Sequence, residues 1–150
     1  SVKTVLEFGC GLSTLLLSDI VKVISFETNQ GWIDKIKSIK PELDIRLWNG
    51  KNADIPGHFD MAFVDGPSGG ASREFSTKIG ASLADVVIIH DANRENELKW
   101  QEMHVKANFN GPVKGGHRIH LWTRKALCEA SVRKIEPIVE LCPECQEAMV

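Results

Sequence analysis

Short runs of consecutive apolar residues alternate along this chain with stretches in which apolar residues return every three or four positions, a rhythm of strands and helices. Residues 2–8 read as a first strand that stops at Gly9-Cys10-Gly11, and Leu12, Leu15, Leu16 and Ile20 follow with helical spacing. Residues 21–26 predict a second strand, closed by Glu27, and Trp32, Ile33, Ile36 and Ile39 predict a helix that ends before Pro41. Further strands are expected at 44–48, 59–64 and 85–89, apolar on successive positions as in parallel strands buried on both faces. A helix is expected over 72–83, whereas Gly50, Pro56 and Gly57 make 49–58 a loop.

The rhythm changes after Asp91. Residues 95–103 predict a polar helix, 105–109 a short strand and 111–116 a turn, and 117–123 alternate in period two. An antiparallel pair should therefore close a sheet that is otherwise parallel. The expected class is α/β, a Rossmann-like three-layer sandwich with a mostly parallel sheet and a late antiparallel strand pair. Residues 1–125 would form the ligand-binding part, and 126–150 a C-terminal helix, interrupted at Pro137, and tail of the same domain.

Length and charge narrow the partners. A chain of 150 residues supports one core. Eighteen basic against twenty acidic residues give a net charge of -2, with no electrostatic footprint for nucleic acid or anionic lipid. The longest apolar run, residues 86–89, is far below the roughly 18 residues of a membrane span, and no signal segment opens the chain. Four cysteines do not make a disulfide scaffold, so a reducing, cytoplasmic setting is expected. Cys142 and Cys145 have zinc-ligand spacing but lack a second close pair. The expected partners are a small-molecule substrate and a second copy in a homodimer, with no nucleic acid and no membrane.

The chemistry gathers at strand ends. A tight glycine turn lets a ligand approach the backbone, and an acid closing the second strand can accept ribose hydroxyls. Gly9, Gly11 and Glu27 meet that description, and Glu27, Asp65 and Asp91 each close a parallel strand at the same edge. A dinucleotide dehydrogenase would place a third glycine where Thr14 stands, which leaves NAD-dependent oxidoreduction the weaker alternative.

The segment Glu7-Phe8-Gly9-Cys10-Gly11-Leu12-Ser13 resembles the first motif of class I S-adenosylmethionine-dependent methyltransferases, and the resemblance runs to about residue 125. It implies S-adenosylmethionine as cofactor, with Glu7, Gly9, Gly11 and Ser13 beside its methionine part. Glu27 would hold the ribose hydroxyls, Asn52 would meet the adenine amine, and Asp65 would lie near the methyl group. The late hairpin matches the antiparallel seventh strand of that family. Trp48, at a strand end, suits core packing better than stacking on adenine.

Nucleic-acid amino methyltransferases carry two prolines and an aromatic residue after strand four, where this chain has Asp65-Gly66-Pro67-Ser68. Asp65 with His90-Asp91-Ala92-Asn93 instead resembles the metal-dependent O-methyltransferases. That resemblance implies Mg²⁺ on Asp65 and Asp91, with His90 as third ligand or general base, and so Asp65, His90 and Asp91 as the catalytic set. The adjacent Asp-Asn pair of those enzymes is broken here by Ala92. The expected activity is methyl transfer to a small-molecule hydroxyl, on a sugar or phenol; the alternative is a non-catalytic cofactor- or partner-binding domain. Arg73 reads as a solvated surface residue, 93–97 as an ordinary polar helix start, and His117 and His120 as structural or exposed.

Overall fold

The structure, a computed structural model, describes residues 1–116 and 118–125. Among these residues seven strands and four helices follow in chain order: β1 (Thr4–Phe8), α1 (Leu12–Ser18), β2 (Lys22–Glu27), α2 (Gln30–Ile39), β3 (Asp44–Leu47), β4 (Phe59–Val64), α3 (Glu74–Leu83), β5 (Ala84–His90), α4 (Glu95–His104), β6 (Phe109–Gly115) and β7 (Ile119–Arg124). They build one sheet in the order β3-β2-β1-β4-β5-β7-β6. The first five strands are parallel, and β7 runs antiparallel to both β5 and β6.

This order positions the site. From β1 the chain steps outward through β2 to β3, then returns to the other side of β1 and steps through β4 to β5. Right-handed crossovers in opposite directions put α1 and α2 on one face and α3 on the other. The reversal lies between β1 and β4, so their carboxyl ends open a crevice between diverging loops. On one side Ile33 and Ile36 of α2 pack with Leu43 and Ile45. On the other, Leu6, Phe8, Val64, Val87 and Ile89 form the main core. α3 lies close on β4 because its packed face is small: a Cβ at Gly80 would come 3.0 Å from the Cβ of Ala62. α2 starts where the Asn29 side chain accepts the Gly31 and Trp32 amides at 2.9 and 3.3 Å.

The late hairpin forms, but its first strand is displaced from the expected place. α4 runs on to His104, the fully buried Val105 caps it, and β6 occupies 109–115, most of the segment that reads as a turn. Gly111 and Pro112 are tolerated because β6 is the outer strand and its register with β7 shifts between Asn110 and Val113. The remaining bounds differ by a few residues; α3 starts at Glu74, with Arg73 at its cap. The C-terminal helix and tail at 126–150, including Cys128, Cys142 and Cys145, and His117 lie outside the described residues. Among the described residues no helix is long and apolar enough to cross a membrane.

Candidate cofactor and acceptor site

Two glycines with different jobs shape the turn after β1. Gly9 has φ 94°, and a Cβ there would lie 2.9 Å from the Gly66 nitrogen; one at Gly66 would lie 2.7 Å from the Gly9 Cα. The ends of β1 and β4 thus touch backbone to backbone. Gly11 is extended, with φ -178°, and a Cβ there would meet no atom within 4 Å. Its missing side chain keeps the floor of the crevice clear.

Glu7 lies under this turn and not in the crevice. Its fully buried carboxylate accepts the Ser13 and Thr14 hydroxyls, each at 2.6 Å, and Thr14 Oγ1 in turn accepts the Gly11 amide at 2.9 Å. Burial pushes the Glu7 carboxyl up from its ordinary value, and the hydroxyl donors pull it back only in part. Of the four residues expected beside the methionine part, Gly9, Gly11 and Ser13 line the crevice, Ser13 with its hydroxyl committed to Glu7, and Glu7 acts as a brace. Thr14, where a dinucleotide site would want glycine, is part of the same brace.

Glu27 is held for a ligand. One carboxylate oxygen accepts the Cys10 amide at 3.0 Å, and the other accepts the Thr28 and Asn29 amides at 2.7 and 2.8 Å. The Thr28 hydroxyl also donates to that second oxygen, at 3.4 Å, so these donors lock the carboxylate and leave capacity for a ligand hydroxyl on the oxygen that holds the Cys10 amide alone. The neighbouring Cys10 thiol is pushed up to about 12, mainly by burial and then by the charges of Glu27 and Glu7, which leaves it unreactive.

The crevice encloses about 530 Å³ and runs from the glycine turn and Glu27 to Asp65, His90 and Asp91. A second hollow of about 460 Å³ lies beyond Thr28 and is lined by Leu47, Trp48, Asn49, Asn52 and Ala53. Asn52 therefore faces a compartment adjoining Glu27, as an adenine contact would require. Trp48 belongs to the core: its ring lies 5.3 Å from that of Phe8, and its Nε1 donates to the Lys51 carbonyl at 2.8 Å. Trp32, which marked only a helix in the sequence, is half exposed on the crevice wall.

At the far end Asp65, His90 and Asp91 come together, with ligand atoms within 4.8 Å of one another. His90 Nδ1 lies 3.0 Å from Asp65 Oδ1 and 3.6 Å from Asp91 Oδ2, close contacts without hydrogen-bond alignment. Arginines already serve these carboxylates. Arg94 Nη2 is 2.6 Å from Asp91 Oδ2, Arg118 Nη1 is 3.6 Å from Asp91 Oδ1, and Arg73 Nη2 is 3.5 Å from Asp65 Oδ1. A Mg²⁺ ion needs free oxygen ligands and a negative field; Arg94 takes one oxygen of Asp91, and the guanidiniums of Arg118 and Arg73, at 3.6 and 3.5 Å, oppose the field. Asp65, His90 and Asp91 are spaced as ligands could be, whereas the arginine field counts against the metal that the resemblance implied, and Asn93, exposed and outside the crevice lining, adds no ligand.

Arg73 is the main correction to the sequence reading. It is buried, with Nε donating to the Pro67 carbonyl at 3.2 Å and Nη1 to the His90 carbonyl at 2.9 Å, and so ties the end of β4 to the end of β5. Arg94 and Glu97 also depart from an ordinary helix start: Arg94 lines the crevice, and Glu97 is buried with an oxygen 3.9 Å from Arg73 Nε. A topological signal was present, because both arginines follow parallel strands at the carboxyl edge where such sheets bind ligands. His120 is structural as expected, its Nδ1 2.7 Å from the Gln101 side-chain oxygen that also accepts from Trp122 at 3.0 Å.

The sheet order is that of the Rossmann-like methyltransferase fold. A TehB-like SAM-dependent methyltransferase from Corynebacterium glutamicum superposes with a TM-score of 0.61 at 15% identity, covering 82% of this chain and 80% of that one. A SAM-bound amino pentose methyltransferase of calicheamicin biosynthesis, from Micromonospora echinaspora, gives 0.50 at 13% identity, over 60% of this chain and 43% of that one. DesVI from Streptomyces venezuelae gives 0.51 at 13% identity with the same coverage, so this chain spans less than half the length of those two proteins. No family model matches the chain, and no curated protein matches it in sequence. At these identities the likeness establishes the fold, the one that SAM-dependent methyltransferases share.

Proposed function

We propose that this chain binds S-adenosylmethionine and transfers its methyl group to a hydroxyl of a small-molecule acceptor, without a divalent metal. The observation that carries the reading is one continuous crevice with Glu27, locked by three backbone amides, near one end and the Asp65–His90 pair at the other. The cofactor would supply a sulfonium-activated methyl group that needs no Lewis acid for transfer.

The residues divide the remaining work. Gly9 and Gly11 admit the ligand to the backbone, Glu27 accepts ribose hydroxyls, and Asn52 with Trp48 bounds the adenine compartment. His90 would take the acceptor hydroxyl proton as the oxygen bonds to the methyl carbon and the carbon–sulfur bond breaks to release S-adenosylhomocysteine, and Asp65, 3.0 Å from Nδ1, would stabilise the imidazolium that results. Arg73 holds the His90 carbonyl and so fixes the base relative to the β4 end.

Calorimetric titration tests the reading. S-adenosylmethionine and S-adenosylhomocysteine are expected to bind with micromolar affinity, and NAD is not. His90→Ala should keep the S-adenosylhomocysteine affinity and lose transfer of labelled methyl to hydroxyl acceptors. Binding of NAD alone, or loss of both properties in His90→Ala, would overturn the assignment.

A further inference from the structure

Two exposed arginines meet at Asp91, Arg94 in the lining of the crevice and Arg118 beyond that lining. Asp91 closes β5 with its backbone in the left-handed region, φ 53°, a conformation uncommon for residues other than glycine and concentrated at functional positions. Its carboxylate is nearly buried and stands between two guanidiniums, Arg94 at 2.6 Å from α4's cap and Arg118 at 3.6 Å from the residue before β7. One carboxylate between two arginines leaves that trio with one positive charge, and Arg73 between Asp65 and Glu97 makes a neighbouring trio with one negative charge. Both guanidiniums still face solvent, with 56% and 69% of their side-chain surface exposed.

Arg73 stands behind them. Its Nε and Nη1 serve backbone carbonyls, and its carboxylate neighbours Asp65 and Glu97 are no nearer than 3.5 and 3.9 Å. Arg73 and Arg94 also form the wall between the main crevice and a smaller hollow of about 290 Å³ that reaches Trp100. A guanidinium has five donors in a planar fork, so Arg94 can keep Asp91 on one edge and present the other to a second oxyanion.

Building on the methyl-transfer reading above, we propose that the acceptor carries a carboxylate or phosphate group, which Arg94 in the crevice lining and Arg118 on the other side of Asp91 grip between them while Asp91 holds both arginines in place. The same charges that turn away Mg²⁺ then select the substrate. Crevice size and the net charge of -2 favour a small anionic molecule over a nucleic acid.

The test is titration of the full chain with inorganic phosphate and, separately, benzoate, followed by NMR of the arginine side-chain Nε and the backbone amides of Asp91 and Ala92. S-adenosylhomocysteine affinity is measured alongside. Saturable shifts at Arg94, Arg118 and Asp91 are expected with at least one probe, and the preferred probe identifies the oxyanion. Arg94→Gln and Arg118→Gln should each weaken that binding about tenfold or more while leaving S-adenosylhomocysteine affinity unchanged, and Mg²⁺ should produce no saturable shift. Absence of shifts with both probes, wild-type affinity in both variants, or a saturable Mg²⁺ response at Asp91 would overturn the proposal. If S-adenosylhomocysteine binds and the oxyanions do not, the inference falls and the methyl-transfer reading stands; if S-adenosylhomocysteine fails to bind, the fault lies with that reading.

Discussion

Gly9 and Gly11 share one turn, yet substitution should break two different things. In Gly9→Ala the new side chain sits at φ 94°, and its Cβ meets backbone atoms of Asp65 and Gly66 at 2.9–3.1 Å. Left-handed backbone costs about 1–2 kcal/mol for a residue with a Cβ, and overpacking against atoms that cannot rotate away adds about 1–3 kcal/mol. A loss of about 3 kcal/mol should lower the melting temperature of a domain this size by roughly 10 °C. Gly11→Ser introduces no strain, because the position is extended, open and at a helix start that favours serine. Its stability should stay within about 0.5 kcal/mol of the parent, while its side chain enters the crevice and weakens S-adenosylhomocysteine. Thermal unfolding and calorimetric titration of both variants separate the effects. Equal destabilisation by both substitutions, or undiminished ligand affinity in Gly11→Ser, would refute the division of labour.

Other consequences can be measured on the same preparation. Glu27→Gln replaces an acceptor-only group that faces three amide donors, and S-adenosylhomocysteine affinity should fall about 10- to 100-fold by calorimetry. Because burial raises the Glu7 carboxyl, the folded state retains its proton after the unfolded chain has lost one, so stability should fall as pH rises above the ordinary carboxyl range toward the raised value. Glu7→Gln should flatten that part of the pH–stability curve followed by denaturant unfolding. A chelator should leave methyl transfer unchanged, since the guanidiniums of Arg94, Arg118 and Arg73 stand 2.6, 3.6 and 3.5 Å from the carboxylates that a metal would need.

The parts of this molecule legible in its sequence are those governed by local rules. The apolar runs at 61–64 and 86–89 suit strands covered on both faces, and Gly9 marks a turn that no other residue fits. Glu27 and Asp65 were readable because parallel strands deliver their ends to one edge. The misreadings concern charged residues and the sheet margin. Arg73 looked solvated because buried arginines are rare, and what buries it, the carbonyls of Pro67 and His90, comes from distant loops. The glycines and proline of β6 resemble a turn, and only its place on the outer edge lets them form a strand. The acidic cluster matched a metal site by residue type; its arginine partners come from the cap of α3, the cap of α4 and the residue before β7, which no local pattern joins.

The most direct test of the central claim is an amide NMR titration of the whole chain with S-adenosylhomocysteine. The account predicts saturable shifts at residues 9–13, at Thr28 and Asn29 and at Asn52, with little change along β6 and none of these responses to NAD. Shifts confined to other surfaces, or a response at the glycine turn to NAD and not to S-adenosylhomocysteine, would contradict it.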